Sequence, residues 1–321
     1  MRPANQFAAD KVLAAVIARQ GEDTIQPLLD TCLSKTGISV LLIDNASHDA
    51  TCEKAHKANI ENLECRALPT NIGVAAAANM ALAAALERRS CWLWMLDQDS
   101  RCTPGCLARL LETAEALNRT DSPVGAVAAC ARSAKYPEHV HWPYRWNGVS
   151  FEEPADIGEA LVQQTPWKVD SSLSSGTLYA VEALNRVGGF RSDYFIDFVE
   201  HELHLRLRDA GYSFYWDPGA VIYHQLGQYQ KLTPQGLWLE HAPERYYYMA
   251  RNMMDGLYRA GGRPARRHFL RHTLPGHIFL QFRWGRHPIR ATAYALKGLY
   301  HAWRKEFKPL PASIRKKNIG R

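Results

Sequence analysis

The run Cys91 to Ser100, CWLWMLDQDS, is apolar until it stops at two aspartates one residue apart, Asp97 and Asp99. A short Trp/Leu/Met run bounded by polar residues has the pattern of a buried parallel strand, and ligands in open α/β sheets collect just beyond the carboxyl ends of such strands. Two close carboxylates there suit Mg²⁺ or Mn²⁺, which usually complete their shells with the phosphates of a substrate, so a nucleotide diphosphate is the natural guest. A second reading stays open. The pair could simply end a strand and cap a following helix, since Ser100 to Pro104 also has the character of a helix start.

Other residues with chemical potential recur along the chain. Asp44-Asn45 follows the apolar stretch Val40 to Ile43. Asp44 could bind a ligand at that strand end or form ordinary turn chemistry. Asn71 and Gly73 could line a pocket, with Gly73 allowing close backbone approach, or could open a helix. His224, after Ala220-Val221-Ile222-Tyr223, could ligate a metal or serve as a structural histidine. Asp197, Glu200 and Glu202 form an acidic cluster after Phe195. If Phe195 to Leu207 is helical, Asp197 and Glu200 share a face three residues apart while Glu202 points elsewhere. A solvated helix start favoured by the macrodipole accounts equally for the cluster.

The elements that must position these groups alternate. Val12 to Ala18 reads as a strand, Thr24 to Ser34 as a helix, Val40 to Ile43 as a strand, Gly73 to Arg88 as an Ala-rich helix and Trp92 to Leu96 as a strand. That rhythm predicts an α/β fold, a mostly parallel sheet with helices on both faces. Ala134 to Trp167 reads as a long irregular connection, and the pattern resumes at Ser174-Ser175-Gly176-Thr177 and a helix near Val181 to Val187.

Composition bounds the alternatives. A chain of 321 residues that is 46% hydrophobic can bury a full core, which excludes a disordered tail. Its seven cysteines lack zinc spacing and a disulfide ladder, which predicts reduced thiols in a reducing compartment. Met1 to Asp10 has no apolar signal core and no segment has the ~18 apolar residues of a membrane span, so a cytoplasmic location is expected. The net charge of +7 is unevenly spread: residues 245–321 hold eighteen Lys and Arg against Asp255 and Glu306, a net of +16, which leaves −9 for the rest. Such asymmetry points to a basic appendage facing an anionic surface, nucleic acid or an acidic membrane leaflet. From Arg263 onward Arg, His and Lys alternate with Phe, Leu, Trp and Tyr, as in interfacial helices; the same apolar residues could pack on the catalytic domain or a second subunit.

Taken in order, Asp44-Asn45-Ala46-Ser47, Asn71-Ile72-Gly73 with Asn79, Leu96-Asp97-Gln98-Asp99-Ser100, Ser175-Gly176, Gly188-Gly189-Phe190, Phe195 to Glu202, Arg206 with Gly211-Tyr212, His224 to Gly227, and Arg245 to Tyr248 with Arg251-Asn252 resemble the family 2 glycosyltransferases of the GT-A fold. Bacterial rhamnosyltransferases that use dTDP-L-rhamnose are the nearest pattern, over roughly residues 12–259. The resemblance implies a GT-A catalytic domain over residues 1–244 and a basic, aromatic-rich helical extension over 245–321. It implies inverting transfer of a sugar, L-rhamnose or another donor such as a UDP-sugar or galactofuranose, to a hydroxyl of a surface-glycan or lipid-linked glycan acceptor. Asp44, Asn71, Gly73, Asp97, Gln98 and Asp99 would bind the nucleotide sugar. Asp99, Asp97 and His224 would hold Mg²⁺ or Mn²⁺. Ser175, Gly176, Glu202 and Arg251 would line the acceptor or donor pocket. Glu200 stands where the family generally has an aspartate base, in Val-Glu-His-Glu rather than the usual Val-Asp-Thr-Glu, and Asp197 is its nearest competitor for that role. The basic, aromatic-rich extension predicts contact with the inner face of the plasma membrane, leaves a homo-oligomer as an option, and no nucleic-acid partner is expected. Outside the enzyme class, a non-catalytic membrane- or nucleic-acid-binding protein on a degenerate transferase scaffold would share the same charge pattern.

Overall fold

A computed structural model describes residues 11–34, 36–118, 122–234 and 236–311. The first half runs β1 (Val12–Ala18), α1 (Ile25–Leu28), β2 (Ser39–Asp44), α2 (Thr51–Lys57), β3 (Leu63–Ala67), α3 (Val74–Glu87), β4 (Trp92–Asp97), β5 (Arg101–Cys102), α4 (Cys106–Leu117) and β6 (Val124–Ser133). The second half adds β7 (Arg145–Trp146), β8 (Phe151–Glu152), α5 (Ile157–Gln163), β9 (Trp167–Val169), β10 (Thr177–Ala180), α6 (Val181–Arg186), α7 (Val199–Asp209), β11 (Ser213–His224), β12 (Tyr229–Thr233) and β13 (Gly236–Glu240). Three helices follow: α8 (Arg245–His268), α9 (Leu274–Trp284) and α10 (Pro288–Trp303).

The main sheet has the order β3-β2-β1-β4-β10-β6-β11-β5, with β9 also paired to β11. Strands β3, β2, β1 and β4 are parallel, as are β6 and β11, and β10 lies antiparallel between β4 and β6. Both faces of the central strands are covered, so β1 is apolar at every position and β4 up to its terminal Asp97. Along β1, Leu13 and Ala15 enter one core while Val12, Ala14 and Val16 enter the other. The alanines of α3 (Ala75, Ala77, Ala78, Ala81, Ala84 and Ala85) let that helix lie close on the first face, and Leu107, Leu110 and Leu111 of α4 cover the second.

Three expectations fail locally. The segment 134–167 carries a two-residue hairpin, β7 and β8, and the helix α5, instead of irregular chain; elements that short leave no periodicity in sequence. The helix expected from Phe195 begins at Val199, because Phe195, Asp197 and Phe198 all have positive φ (68°, 67° and 62°). Four of the seven cysteines are paired, Cys32 with Cys102 and Cys52 with Cys65, so the expectation of reduced thiols fails for them. The pairing arises because β5 returns beside residues 29–33 and α2 packs beside β3, proximities that spacing alone does not reveal.

The C-terminal helices are built into the fold. In α10, Ala291, Ala295 and Gly298 are buried, and a Cβ at Gly298 would meet the Tyr247 carbonyl oxygen of α8 at 2.2 Å. Beyond α10 the chain returns along α8. Lys308 accepts through its carbonyl from Arg251 Nη1 (2.9 Å) and from the Tyr247 hydroxyl (3.2 Å), and the Leu310 amide donates to the Tyr248 hydroxyl (2.9 Å). Among the described residues no helix is long and apolar enough to cross a membrane.

Candidate active site

One edge of the sheet gathers the polar groups. Asp44 and Asp97 end β2 and β4, in register with Ala18 and Ile17 of the strand between them. Because β10 runs the other way, its preceding Ser175-Gly176 turn arrives at the same edge, where Thr177 pairs with Met95. His224 ends β11. The carboxylates of Asp97 and Asp99 and the His224 imidazole each offer a ligand atom, all within 4.8 Å of one another.

The donor set suits a hard to borderline divalent cation, two carboxylate oxygens and one imidazole nitrogen. His224 Nδ1 is 2.9 Å from Asp99 Oδ1 and its Nε2 is 3.4 Å from Asp97 Oδ2. The Nδ1 atom is nevertheless buried without a properly directed hydrogen bond, an orphaned position that a cation between the two groups would satisfy. Burial opposes protonation of His224, yet Asp99 and Asp97 outweigh it and hold the imidazole at about 9. Desolvation likewise acts against ionised Asp99, but the neighbouring imidazole keeps its carboxyl below the usual range. The cluster is thus an anionic nest that holds a positive charge. Asp99 Oδ2 also accepts from the Gln225 amide (3.3 Å).

Glu200 lies in the first turn of α7. Desolvation pushes its carboxyl up to about 7, with the charges of Asp197 and Asp97 adding to the effect. A carboxylate poised near neutrality can take a proton from a hydroxyl. The backbone before it is strained: three non-glycine residues at positive φ persist only where the surroundings over-determine them. Asn252 supplies that constraint, its Nδ2 donating to the carbonyls of Tyr194 (3.0 Å), Ile196 (2.9 Å) and Asp197 (2.7 Å).

The remaining expected residues divide by role. Asp44 is buried and accepts from the Ser47 amide (2.9 Å), so its carboxylate shapes the turn after β2. Asn71 accepts from the Gly73 amide (2.9 Å). Gly73, at φ 86°, permits close approach, but to protein: an added Cβ would lie 2.5 Å from Phe195 Cδ2. Gln98 accepts from the Arg19 amide (2.6 Å), and Ser175 from the Asp97 amide (3.1 Å), so both orient the Asp97–Asp99 loop. Gly176, at φ 78°, leaves room for Ile222.

Two residues expected in the pocket belong to the framework. Glu202 is 5% exposed and chelates Arg206 (Nε to both oxygens at 2.9 and 3.0 Å), which in turn donates to the Val187 and Gly189 carbonyls. Arg251 is fully buried and donates to the Asp193, Tyr194 and Lys308 carbonyls. Nor do Asp197 and Glu200 share a helical face: Asp197 precedes α7 and is clasped by both Nε (3.2 Å) and Nη2 of Arg245.

Arg245 is a site residue that sequence reasoning missed. The only signal was its standing in the quoted Arg-Tyr-Tyr-Tyr motif, because the pairing to Asp197 spans 48 residues. A second omission is the polar layer beside Glu200. Ser171 Oγ bridges His201 Nδ1 (2.6 Å) and His204 Nδ1 (2.9 Å), and His204 Nε2 meets the Tyr179 hydroxyl (2.7 Å). Burial lowers His201 to about 4, so this layer is neutral at physiological pH. The unusual His in Val-Glu-His-Glu was its sequence trace.

This strand-edge cluster on a mostly parallel sheet is the arrangement of a GT-A glycosyltransferase. Residues 14–188 match the family described as Glycosyl transferase family 2, and the chain belongs to that family. It is similar to the dTDP-rhamnosyl transferase RfbF of Shigella flexneri, 28% identical over 225 residues, covering 70% of this chain and 72% of that one. It is also similar to the N-acetylglucosaminyl-diphospho-decaprenol L-rhamnosyltransferase of Mycobacterium tuberculosis, 27% identical over 272 residues, covering 76% and 82%. Among solved structures, TarS of S. aureus in complex with UDP superposes with a TM-score of 0.54 at 15% identity, covering 92% of this chain and 88% of that one. The mannosyltransferase PcManGT of Pyrobaculum calidifontis in complex with GDP-Man and Mn²⁺ gives 0.53 at 15%, covering 92% and 86%. These likenesses establish the GT-A fold, and the chain is a glycosyltransferase.

Proposed function

We propose that this glycosyltransferase moves L-rhamnose from dTDP-L-rhamnose to a hydroxyl of a growing, lipid-linked surface glycan, with inversion at the anomeric carbon. The donor is supported by the names of the two curated relatives, both rhamnosyltransferases. The observation that carries the chemistry is Glu200, with its carboxyl at about 7, close enough to the Asp97, Asp99 and His224 cluster to feel the Asp97 charge. Asp97, Asp99 and His224 would hold Mg²⁺ or Mn²⁺, which when bound neutralises charge developing on a leaving diphosphate. Glu200 accepts the proton of the acceptor hydroxyl as that oxygen attacks. Asp197, tied to Arg245, keeps the adjacent backbone in place instead of competing as base. Ser175 and Gln98 orient the Asp97–Asp99 loop, while Asp44, Asn71 and Gly73 frame the nucleotide side.

Residues 1–244 carry the catalytic groups, buttressed by Arg245, Arg251 and Asn252 of α8, while the rest of 245–321 acts as an extension that rests on the inner, cytoplasmic face of a membrane, where a lipid-linked acceptor resides. The support for that role is the net +16 of the extension and the exposure of Phe279, Phe282, Ile289, Leu296, Tyr300 and Trp303. A transfer assay across dTDP-L-rhamnose, UDP-sugars and UDP-galactofuranose, with Mn²⁺ or with EDTA, tests the reading. Turnover of dTDP-L-rhamnose that EDTA abolishes is expected; preference for another donor or indifference to EDTA would overturn the donor or the metal, respectively.

A further inference from the structure

At the junction of α8 and α9 the helix changes character. Gly262 breaks the helical backbone (φ 64°, ψ −150°), Pro264 follows, and residues Phe269–Thr273 form a π-turn, a feature often found at functional sites. Within this stretch Arg263, Arg267 and Arg271 recur every four residues, and the rings of His268 and His272 meet at a tilt of 39° with centroids 5.0 Å apart. Together with Pro264 they line an open surface depression of about 330 Å³. Like charges four residues apart destabilise a helix. Here none of the three arginines has a carboxylate partner among the described residues. Guanidinium forks match phosphoryl oxygens in bidentate geometry, so the unbalanced charge around the open depression calls for such a guest.

The surroundings select the kind of phosphate. Three to four residues apart beyond Arg271, the exposed positions Pro275, Phe279 and Phe282 continue the same face of α9, and Phe279 and Phe282 are 62% and 57% exposed. A free phosphate gains nothing from bare phenyl rings at its edge, whereas a phospholipid offers acyl chains directly beneath its headgroup. We infer that Arg263, Arg267 and Arg271, with His268 and His272, form a binding pocket for the phosphodiester headgroup of an anionic bilayer lipid. The pocket fixes how the extension sits on the membrane, and it rests on the membrane-surface reading above.

Co-sedimentation of the full chain with phosphatidylglycerol–phosphatidylcholine vesicles at low ionic strength tests it. Three basic residues near any anionic surface contribute about a hundredfold, at about fivefold each, and replacing Arg263, Arg267 and Arg271 by Gln is expected to weaken partitioning by at least ten times more than that. The control substitution of Arg283, Lys297 and Lys305 by Gln should cost no more than that general loss of about a hundredfold. Arg267→Glu alone should weaken binding by more than tenfold, and unchanged melting temperatures show that the variants are folded. Equal losses in the two triple variants would overturn the pocket while leaving the membrane-surface reading intact. Failure of the unmodified chain to bind acidic vesicles would overturn both. Displacement of the chain from vesicles by a single-stranded RNA oligonucleotide at stoichiometric amounts would reassign the pocket to a polyanion and overturn the lipid.

Discussion

Asn252 donates to the carbonyl of Asp197 at 2.7 Å, and the same side-chain nitrogen serves Ile196 and Tyr194. One amide on α8 thereby pins three carbonyls of the short loop between Tyr194 and Asp197, and that loop leads into Glu200.

Asn252→Ala should therefore lower stability by roughly 2–4 kcal/mol, since hydrogen bonds of this kind contribute about 1 kcal/mol each and buried carbonyls would be left without partners. Its kcat should fall more than its KM rises. Urea denaturation with steady-state kinetics provides the check, and a variant as stable as the parent would remove Asn252 from this role.

Glu200→Gln should bind donor normally and lose about 10² to 10⁴-fold in kcat. In the parent enzyme kcat/KM should rise with pH around 7, because only the ionised carboxylate accepts a proton; in the variant that limb should vanish. The sign for stability is opposite. A folded-state value raised from 4.5 to about 7 means that the native protein favours the protonated form, so the parent loses stability as pH climbs through that window. The variant should be spared this loss. An unchanged pH–rate profile in Glu200→Gln, with a collapsed rate in Asp197→Asn, would shift the base to Asp197.

Asp99→Ala should abolish transfer and leave the fold intact. With Mn²⁺ at a hundred times its dissociation constant, the parent should gain about 2.7 kcal/mol. The variant should gain little. Calorimetric scans with and without Mn²⁺ and with EDTA read this directly, and equal stabilisation of both proteins would place the cation elsewhere.

Gly73→Ala should cost about 1–3 kcal/mol, because the added methyl strikes the Phe195 ring and backbone at 2.5–2.6 Å and alanine resists φ 86°. The damage should spread to catalysis, as Phe195 belongs to the loop before Glu200. Thermal melts with initial rates decide; a melting temperature and rate equal to the parent's would count against the contact.

The sequence made β1 and β4 readable to within a residue because both faces of each strand are buried and their apolar runs are unbroken. Asp97, Asp99 and His224 were readable for a related reason: each ends or closely follows such a strand. Less could be read where distant contacts override local preference. Nothing in Phe195 to Phe198 announces three left-handed residues, because the cause is Asn252, some 55 residues away. Glu202 and Arg251 looked like pocket groups since charge was visible in sequence but burial was not. The cysteine pairs depended on which elements fold back on which.

The return of residues 308–310 along α8 has a consequence for how the enzyme comes into being. Arg251 grips the loop carbonyls of Asp193 and Tyr194 with one nitrogen and the carbonyl of Lys308 with another. On the ribosome, then, the sheet and its aspartates are complete long before the base loop acquires its last support. A nascent chain released before Lys308 would carry the Asp97, Asp99 and His224 cluster and lack one support of the loop that precedes Glu200.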